Sequence, residues 1–424
     1  MQQIIVPYGH TRQIGYVDDG IKIQTVDVPP SGKQYDLKNL IEKSMNNPIG
    51  CPHLEDMVTK RDKIAIVVND QTRPGPNGLI MDAIISRLES AGIADGQISI
   101  VFATGSHRSP TAEEMIHIIG KKHCDRFSIV VHDCLDDESL AYIGDTPSGM
   151  PLYINRTVAE ATFCIVTGLI APHHCAGYSG GRKSIVPGVA GLKSLKVHHS
   201  FPVYQYEPAM GYIYGNPFHE IALDAARRVA VKFMVNAVQD PHKNYIEFVS
   251  GDLVRAHEEG VRICREACSI NVSSRAEVIV ASPGGFPRDI DLYQAQKALS
   301  VAETLCAPNC VFILCAECRD GFGEGNFHQW MVYCKSPEDI IDRYAKEGFN
   351  VGNNKAFNYA RALMKGRVII VTDRISEKAL NEAKLEWAPN LQEALRTVMS
   401  SRRFETMTVI PNAVNFVTHI EGGQ

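Results

Sequence analysis

The sequence predicts an α/β protein built from two Rossmann-like domains with mainly parallel sheets, and three observations lead there. Eight short runs rich in Val and Ile lack polar alternation, as strands covered on both faces do. Amphipathic stretches of helical period separate them. The chain has 424 residues, 45% hydrophobic and 21% charged, which is ordinary globular composition and length for two or three domains of ~150 residues.

In chain order the expected strands are KIAIVVN (63–69), ISIVFAT (98–104), FSIVVHD (127–133), TFCIVTGLI (162–170), AEVIVASP (276–283), CVFILCAE (310–317), RVIIVTD (367–373) and MTVIPN (407–412). Helices are expected at NGLIMDAIISRLESAG (77–92) and GDLVRAHEEGVRICREAC (251–268). The polar stretch SINVSSR (269–275) follows the second helix and precedes a new strand, so it marks the boundary between domains 1–270 and 271–424. The expected active site is the cleft between these domains, closing over substrate.

Composition excludes several classes of function. Forty-three basic residues stand against 48 acidic ones, a net charge of -5, and none gather into a basic stripe, so nucleic acid is not an expected partner. The longest apolar run, AEATFCIVTGLIAPHH, is short of the ~20 residues of a membrane span. The start, MQQIIVPYGHTRQ, does not read as an export signal. A reducing cytoplasm is therefore expected, with the 12 cysteines free. The Cys315–Cys318 CxxC reads as part of a strand rather than as a zinc or iron–sulfur knuckle.

Chemistry in open α/β sheets collects at the carboxyl ends of strands. The loops there are DQTRPGP (70–76), ATGSHRSP (103–110), APHHCAGYSGGRKSIVPGVAG (171–191) with LKSLKVHHSFP (192–202), GGFPRDIDLYQAQKA (284–298) and RDGFGEGNF (319–327). They hold Arg73, His107, His173, His174, Lys183 and Lys297. The glycine-rich GYSGGRKSIVPG resembles a phosphate loop, yet Arg182 stands between Gly181 and Lys183 and breaks that spacing. The bland alternative is a tight turn with a solvated lysine. Imidazoles suit acid–base work or borderline metals, and one His of each adjacent pair, His173/His174 and His198/His199, faces the cleft. Arg73 and Lys297 are either surface charges or a clamp on a carboxylate. Gln294 and Lys297 share one face of a helix starting near Asp291.

Taken together, DQTRP, ATGSHR, PHHCAGYSGGRKSIVPG, KVHHS and DLYQAQK, in that order over roughly residues 70 to 297, resemble the nickel-pincer lactate racemase family. That resemblance implies a racemase or epimerase inverting C2 of a 2-hydroxy acid, lactate or a close homologue. It implies a cofactor, the nickel-pincer nucleotide (pyridinium-3-thioamide-5-thiocarboxylic acid mononucleotide nickel), attached covalently at Lys183. Its nickel ligand from the protein matches His199, and its acid–base pair matches His107 and His173. Asp70, Gln71, Thr72 and Arg73 match the loop that contacts cofactor and substrate, while Gln294 and Lys297 match substrate-side polar contacts. His174 and His198 remain alternatives within their pairs. Relatives in this family also act on malate, aromatic 2-hydroxy acids and sugar acids, and the cofactor needs dedicated biosynthetic enzymes as partners.

The chemistry has a reason. An imidazole alone does not take the weakly acidic C2 proton of a 2-hydroxy acid, whereas passing that hydrogen as hydride to a pyridinium ring gives a planar keto acid. Two rival readings use the same residues. One is a cofactor-independent two-base racemase or lyase; the other is a metal- or phosphate-ligand binding protein.

Overall fold

The computed structural model describes residues 1–28, 32–413 and 416–421. The chain divides into two compact units, Pro30–Gln205 with Ala209–Ala267, and Met1–Pro29 with Tyr206–Pro208 and Cys268–Gln424.

The unit that carries the histidine loops is built on six strands: β1 (Ile64–Asn69), β2 (Ile98–Ala103), β3 (Ser128–Val131), β4 (Phe163–Ile170), β5 (Val231–Gln239) and β6 (Tyr245–Gly251). Their order is β6-β5-β4-β1-β2-β3. Every pairing is parallel except the β5–β6 hairpin. Buried on both faces, β1 and β4 need the unbroken apolar runs the sequence shows. Helix α1 (Asn77–Ser90) repeats apolar residues at helical spacing and packs Ile80, Met81, Ile84 and Leu88 into one core with Ile66, Ile100 and Phe102. The order reverses between β1 and β4. A ligand crevice is expected outside the carboxyl ends of those two strands, where Asp70 and the segment 171–173 follow.

The second unit carries a wholly parallel sheet of β7 (Ala276–Ala281), β8 (Cys306–Cys315), β9 (Gly366–Val371), β10 (Glu386–Ala388) and β11 (Thr406–Ile410), closed at one edge by the N-terminal strand Lys22–Thr25. The order is β10-β9-β8-β7-β11 and then Lys22–Thr25.

Both units are α/β with mainly parallel sheets, as the sequence predicts, but the division differs from 1–270 and 271–424. Residues 1–29 belong with the second unit because Lys22–Thr25 pairs with β11 and Ile4, Val6 and Val17 are buried in the core of β7 and β8. The stretch expected to mark the boundary holds a strand of its own. Ser269–Val272 pairs in parallel with Val417–Ile420, which satisfies its backbone groups. All 12 cysteines are free, and Cys315 and Cys318 are fully buried. Among the described residues, no helix is long and apolar enough to cross a membrane.

Candidate active site

At the end of β1 the chain turns through Asp70 to Arg73, and at the end of β2 through Thr104 to His107. Parallel pairing of these strands brings the two turns side by side. His107 Nδ1 lies 2.7 Å from Asp70 Oδ2. The other carboxylate oxygen accepts the Thr72 hydroxyl at 2.7 Å and the Thr72 N–H at 3.1 Å. Asp70 is 2% exposed. Burial alone raises its carboxyl, but the hydrogen bonds from His107 and Thr72 outweigh burial and hold it below the usual range. An ionised Asp70 takes Nδ1–H, so the His107 lone pair sits on Nε2, on a ring that remains exposed. Gln71 turns away and donates to the Arg108 carbonyl at 3.2 Å.

The second cluster follows β4. A two-residue antiparallel ladder, Pro172–His173 with Gly177–Tyr178, folds the chain back before the short turn Gly181–Ser184 that carries Lys183. Two buried groups hold that turn. Asn236 of β5 accepts Gly181 N–H at 2.7 Å. Gly180, at φ 82°, passes so close that an added Cβ would strike Asn236 and Ile170. Arg182, 1% exposed, donates to the carbonyls of Ala176 and Tyr178, each at 2.8 Å, and of Gly180 at 3.1 Å, and meets His257 Nε2 at 2.7 Å. The residue that broke the phosphate-loop spacing is thus the staple of the loop.

Lys183 Nζ lies 2.8 Å from His173 Nε2. His174 stacks on His173 with ring centroids 4.7 Å apart. Burial, with Lys183 nearby, pushes the His173 imidazole well below its ordinary range, so it is neutral at pH 7. The charge of Arg73 acts on Asp70, His173 and Lys183, which links the two clusters.

Helix α2 (Leu192–His198) ends in the second histidine pair, and its geometry separates the two. His198 is fully buried and its Nε2 meets the Phe218 carbonyl at 3.0 Å. His199 is half-buried, and its Nδ1 lies 3.2 Å from the Leu195 carbonyl, so Nδ1 carries the hydrogen and Nε2 the lone pair. Burial takes His199 down to about 4, leaving a neutral imidazole, the form that binds a metal. The Phe218 ring, in helix α3 (Pro217–Arg228), stands 5.0 Å from His199 and 6.0 Å from Lys183 Nζ.

Gln294 and Lys297 belong to the second unit, on helix α4 (Leu292–Ala302), which Asp291 caps through the Gln294 N–H. Lys297 Nζ donates to Gln294 Oε1 at 2.9 Å. Among the described residues, the one group of His, Cys and acidic side chains close enough to share a metal is His173, His174 and Cys175. Sequence reasoning missed the part of Asp70 as the carboxylate that orients His107, and missed Asn236 altogether. A lone Asn in the apolar run VKFMVNAV was the available signal.

An α/β unit with a carboxylate–histidine pair and a histidine–lysine pair flanking its switch point has the makings of an acid–base enzyme. Comparison with known proteins gives the family. Residues 8–211 match the model of the lactate racemase N-terminal domain, and 272–418 that of the lactate racemase C-terminal domain. A lactate racemase from Thermoanaerobacterium thermosaccharolyticum is 29% identical over 425 residues, 98% of this chain and 99% of the relative. One from Lactiplantibacillus plantarum is 32% identical over 386 residues, 89% of this chain and 90% of the relative. The lactate racemase apoprotein structure from the first organism superposes with a TM-score of 0.88 at 28% identity, covering 99% of this chain and 100% of that one. A Thermotoga maritima protein at 17% identity, covering 90% of this chain and 98% of its own, shares the fold with a TM-score of 0.66. The chain belongs to the lactate racemase family, and is a racemase by class.

Proposed function

We propose that the protein inverts C2 of a 2-hydroxy acid, lactate or a close homologue, with a nickel-pincer nucleotide carried on Lys183. The observation that carries this reading is the pairing of Asp70 with His107 and of His173 with Lys183 at the carboxyl ends of neighbouring strands. Inversion needs a proton-handling group for each face of a planar intermediate. His107, oriented by Asp70, and neutral His173 suit that need.

The residues fit the cofactor. A half-buried His199 with its lone pair on Nε2 is the ligand type nickel accepts. Lys183, deep in the glycine-rich turn, offers an amine for covalent attachment. When bound, the nucleotide supplies a ring that takes up and returns the C2 hydrogen with its electron pair. His107 and His173 handle the hydroxyl proton, and Arg73, exposed beside Asp70, supplies bidentate donors for the carboxylate. Asp70, Gln71 and Thr72 shape the loop around that group. Gln294 and Lys297 keep the role of polar contacts to substrate. Twelve free cysteines suit work in the cytoplasm, with the cofactor-building enzymes as partners.

The test uses a substrate deuterated at C2, racemised in ordinary water by protein matured with those partners. Retention of the label in the product enantiomer is expected. Early washout to solvent would mean proton abstraction by an exchanging imidazole, and would replace this reading with a cofactor-independent two-base racemase.

A further inference from the structure

The backbone around His173 fixes where its hydrogen sits. His173 Nδ1 accepts the N–H of Cys175 at 3.2 Å and of Ala176 at 3.3 Å. A ring nitrogen that accepts carries no hydrogen, so the neutral imidazole carries it on Nε2. That N–H points at Lys183 Nζ from 2.8 Å. An ammonium has three donors and no acceptor, and would set donor against donor here. A neutral amine has a lone pair that accepts the bond.

The surroundings favour the same state. Lys183 is 9% exposed. Burial pushes it well below the ordinary lysine range, the charges of Arg73 and Arg182 add to that, and the Cys175 thiol opposes it. Among the titratable neighbours, burial leaves His173, His198 and His199 neutral. The Phe218 ring, which would favour an ammonium, is 6.0 Å from Nζ, the outer limit of useful attraction.

We propose that His173 is a positioning residue for Lys183: its Nε2–H holds the lysine as a free amine, ready to be acylated at neutral pH. This rests on the reading of Lys183 as the attachment point and adds the means by which attachment proceeds. The Nζ lone pair forms the new C–N bond to a thiocarboxyl carbon, and the C–O bond breaks. The oxygen leaves as water with one Nζ proton and one proton from solvent, and a thioamide remains. No oxidant or reductant enters. Acylation draws the Nζ lone pair into the thioamide, so the His173 Nε2–H loses its acceptor and can donate to a substrate oxygen. One histidine would serve attachment first and turnover afterwards.

The experiment labels cofactor-free full-length protein with brief pulses of acetic anhydride from pH 6 to 10. Peptide mass spectrometry then compares Lys183 with exposed Lys196 of α2. The pH of half-maximal labelling, rather than the rate, removes the effect of access. Lys183 is expected to reach it about one pH unit or more below Lys196, each unit being tenfold in amine fraction. In His173→Ala, checked for folding by circular dichroism, the midpoint should move up toward that of Lys196, and during maturation at pH 7 the intact-mass adduct should accumulate at least about tenfold more slowly. A wild-type midpoint equal to or above that of Lys196 overturns the proposal without any variant. A folded His173→Ala with an unchanged midpoint or a normal adduct rate overturns it too. Wild-type protein that labels at low pH yet never gains the adduct upholds the pairing and overturns the attachment reading instead.

Discussion

The substitution Asp70→Asn keeps the size of the side chain and removes its charge, at a position 2% exposed. In the native arrangement one oxygen takes both Thr72 donors and the other takes His107 Nδ1–H at 2.7 Å. The amide introduced by Asp70→Asn has one oxygen for those two jobs. With that oxygen on Thr72, its NH2 faces Nδ1 and drives the imidazole to the tautomer whose Nε2 carries hydrogen. The exposed nitrogen then cannot take a proton. A hydrogen bond to a charged group contributes about 1.5–3 kcal/mol. At about 1.4 kcal/mol per factor of ten, full loss in the transition state lowers kcat by roughly 10- to 150-fold. The assay follows conversion of one lactate enantiomer by chiral chromatography, with nickel content and adduct mass measured on the same preparation. Turnover should fall while both stay at wild-type levels. Activity of Asp70→Asn within about twofold of wild type would refute the orienting role, and loss of cofactor instead would move Asp70 from catalysis to binding.

Other outcomes follow from the same geometry. His199→Ala should lose most bound nickel, whereas His198→Ala should lose stability rather than metal, because its buried ring bonds the Phe218 carbonyl; metal analysis and thermal unfolding separate the two. Arg182→Met should destabilise the protein by about 1–3 kcal/mol, since it strips a buried donor from the Ala176, Tyr178 and Gly180 carbonyls; a change under about 1 kcal/mol in denaturant unfolding would contradict the staple. His132 is 1% exposed and burial takes it from 6.5 down to about 4. Its neutral-state contribution is therefore complete above pH 6.5 and is lost as pH falls from 6.5 to about 4, by about 3 kcal/mol at most. Removing that ring in His132→Phe should flatten the acid limb of stability measured by denaturant between pH 7 and 4, and an unchanged slope would exclude it as a cause.

The eight strands named from sequence are all present. In strands such as Ile64–Asn69 and Phe163–Ile170 burial on both faces leaves an uninterrupted apolar run, the plainest signal a strand gives, whereas the edge strand Ser128–Val131 shows the run without the burial. The hairpin β5–β6 escaped because Lys232, Asn236 and Gln239 interrupt its first strand, and only the structure shows that Asn236 is polar for the sake of Gly181. The place of residues 1–29 was illegible for a different reason. It is decided by pairing of Lys22–Thr25 with Thr406–Ile410, and periodicity carries no long-range information. Histidines and a lysine after strand ends made the site loops visible. Which ring of a pair does what depends on backbone direction and on partners such as the Leu195 and Phe218 carbonyls, and neither can be read from HH.

The N-terminal segment has a consequence for how the protein is made. A ribosome adding about 5–20 residues per second needs roughly 20 to 80 s to pass from Lys22–Thr25 to Thr406–Ile410. Residues 1–29 emerge well before β11, the partner of Lys22–Thr25, and find no sheet to join in the meantime. Meanwhile the unit whose last segment ends at Ala267 can close around the His173–Lys183 loop well before β11 is made. Ile4, Val6 and Val17 travel uncovered through that interval, a window for chaperones and for self-association that closes only once β11 has been made.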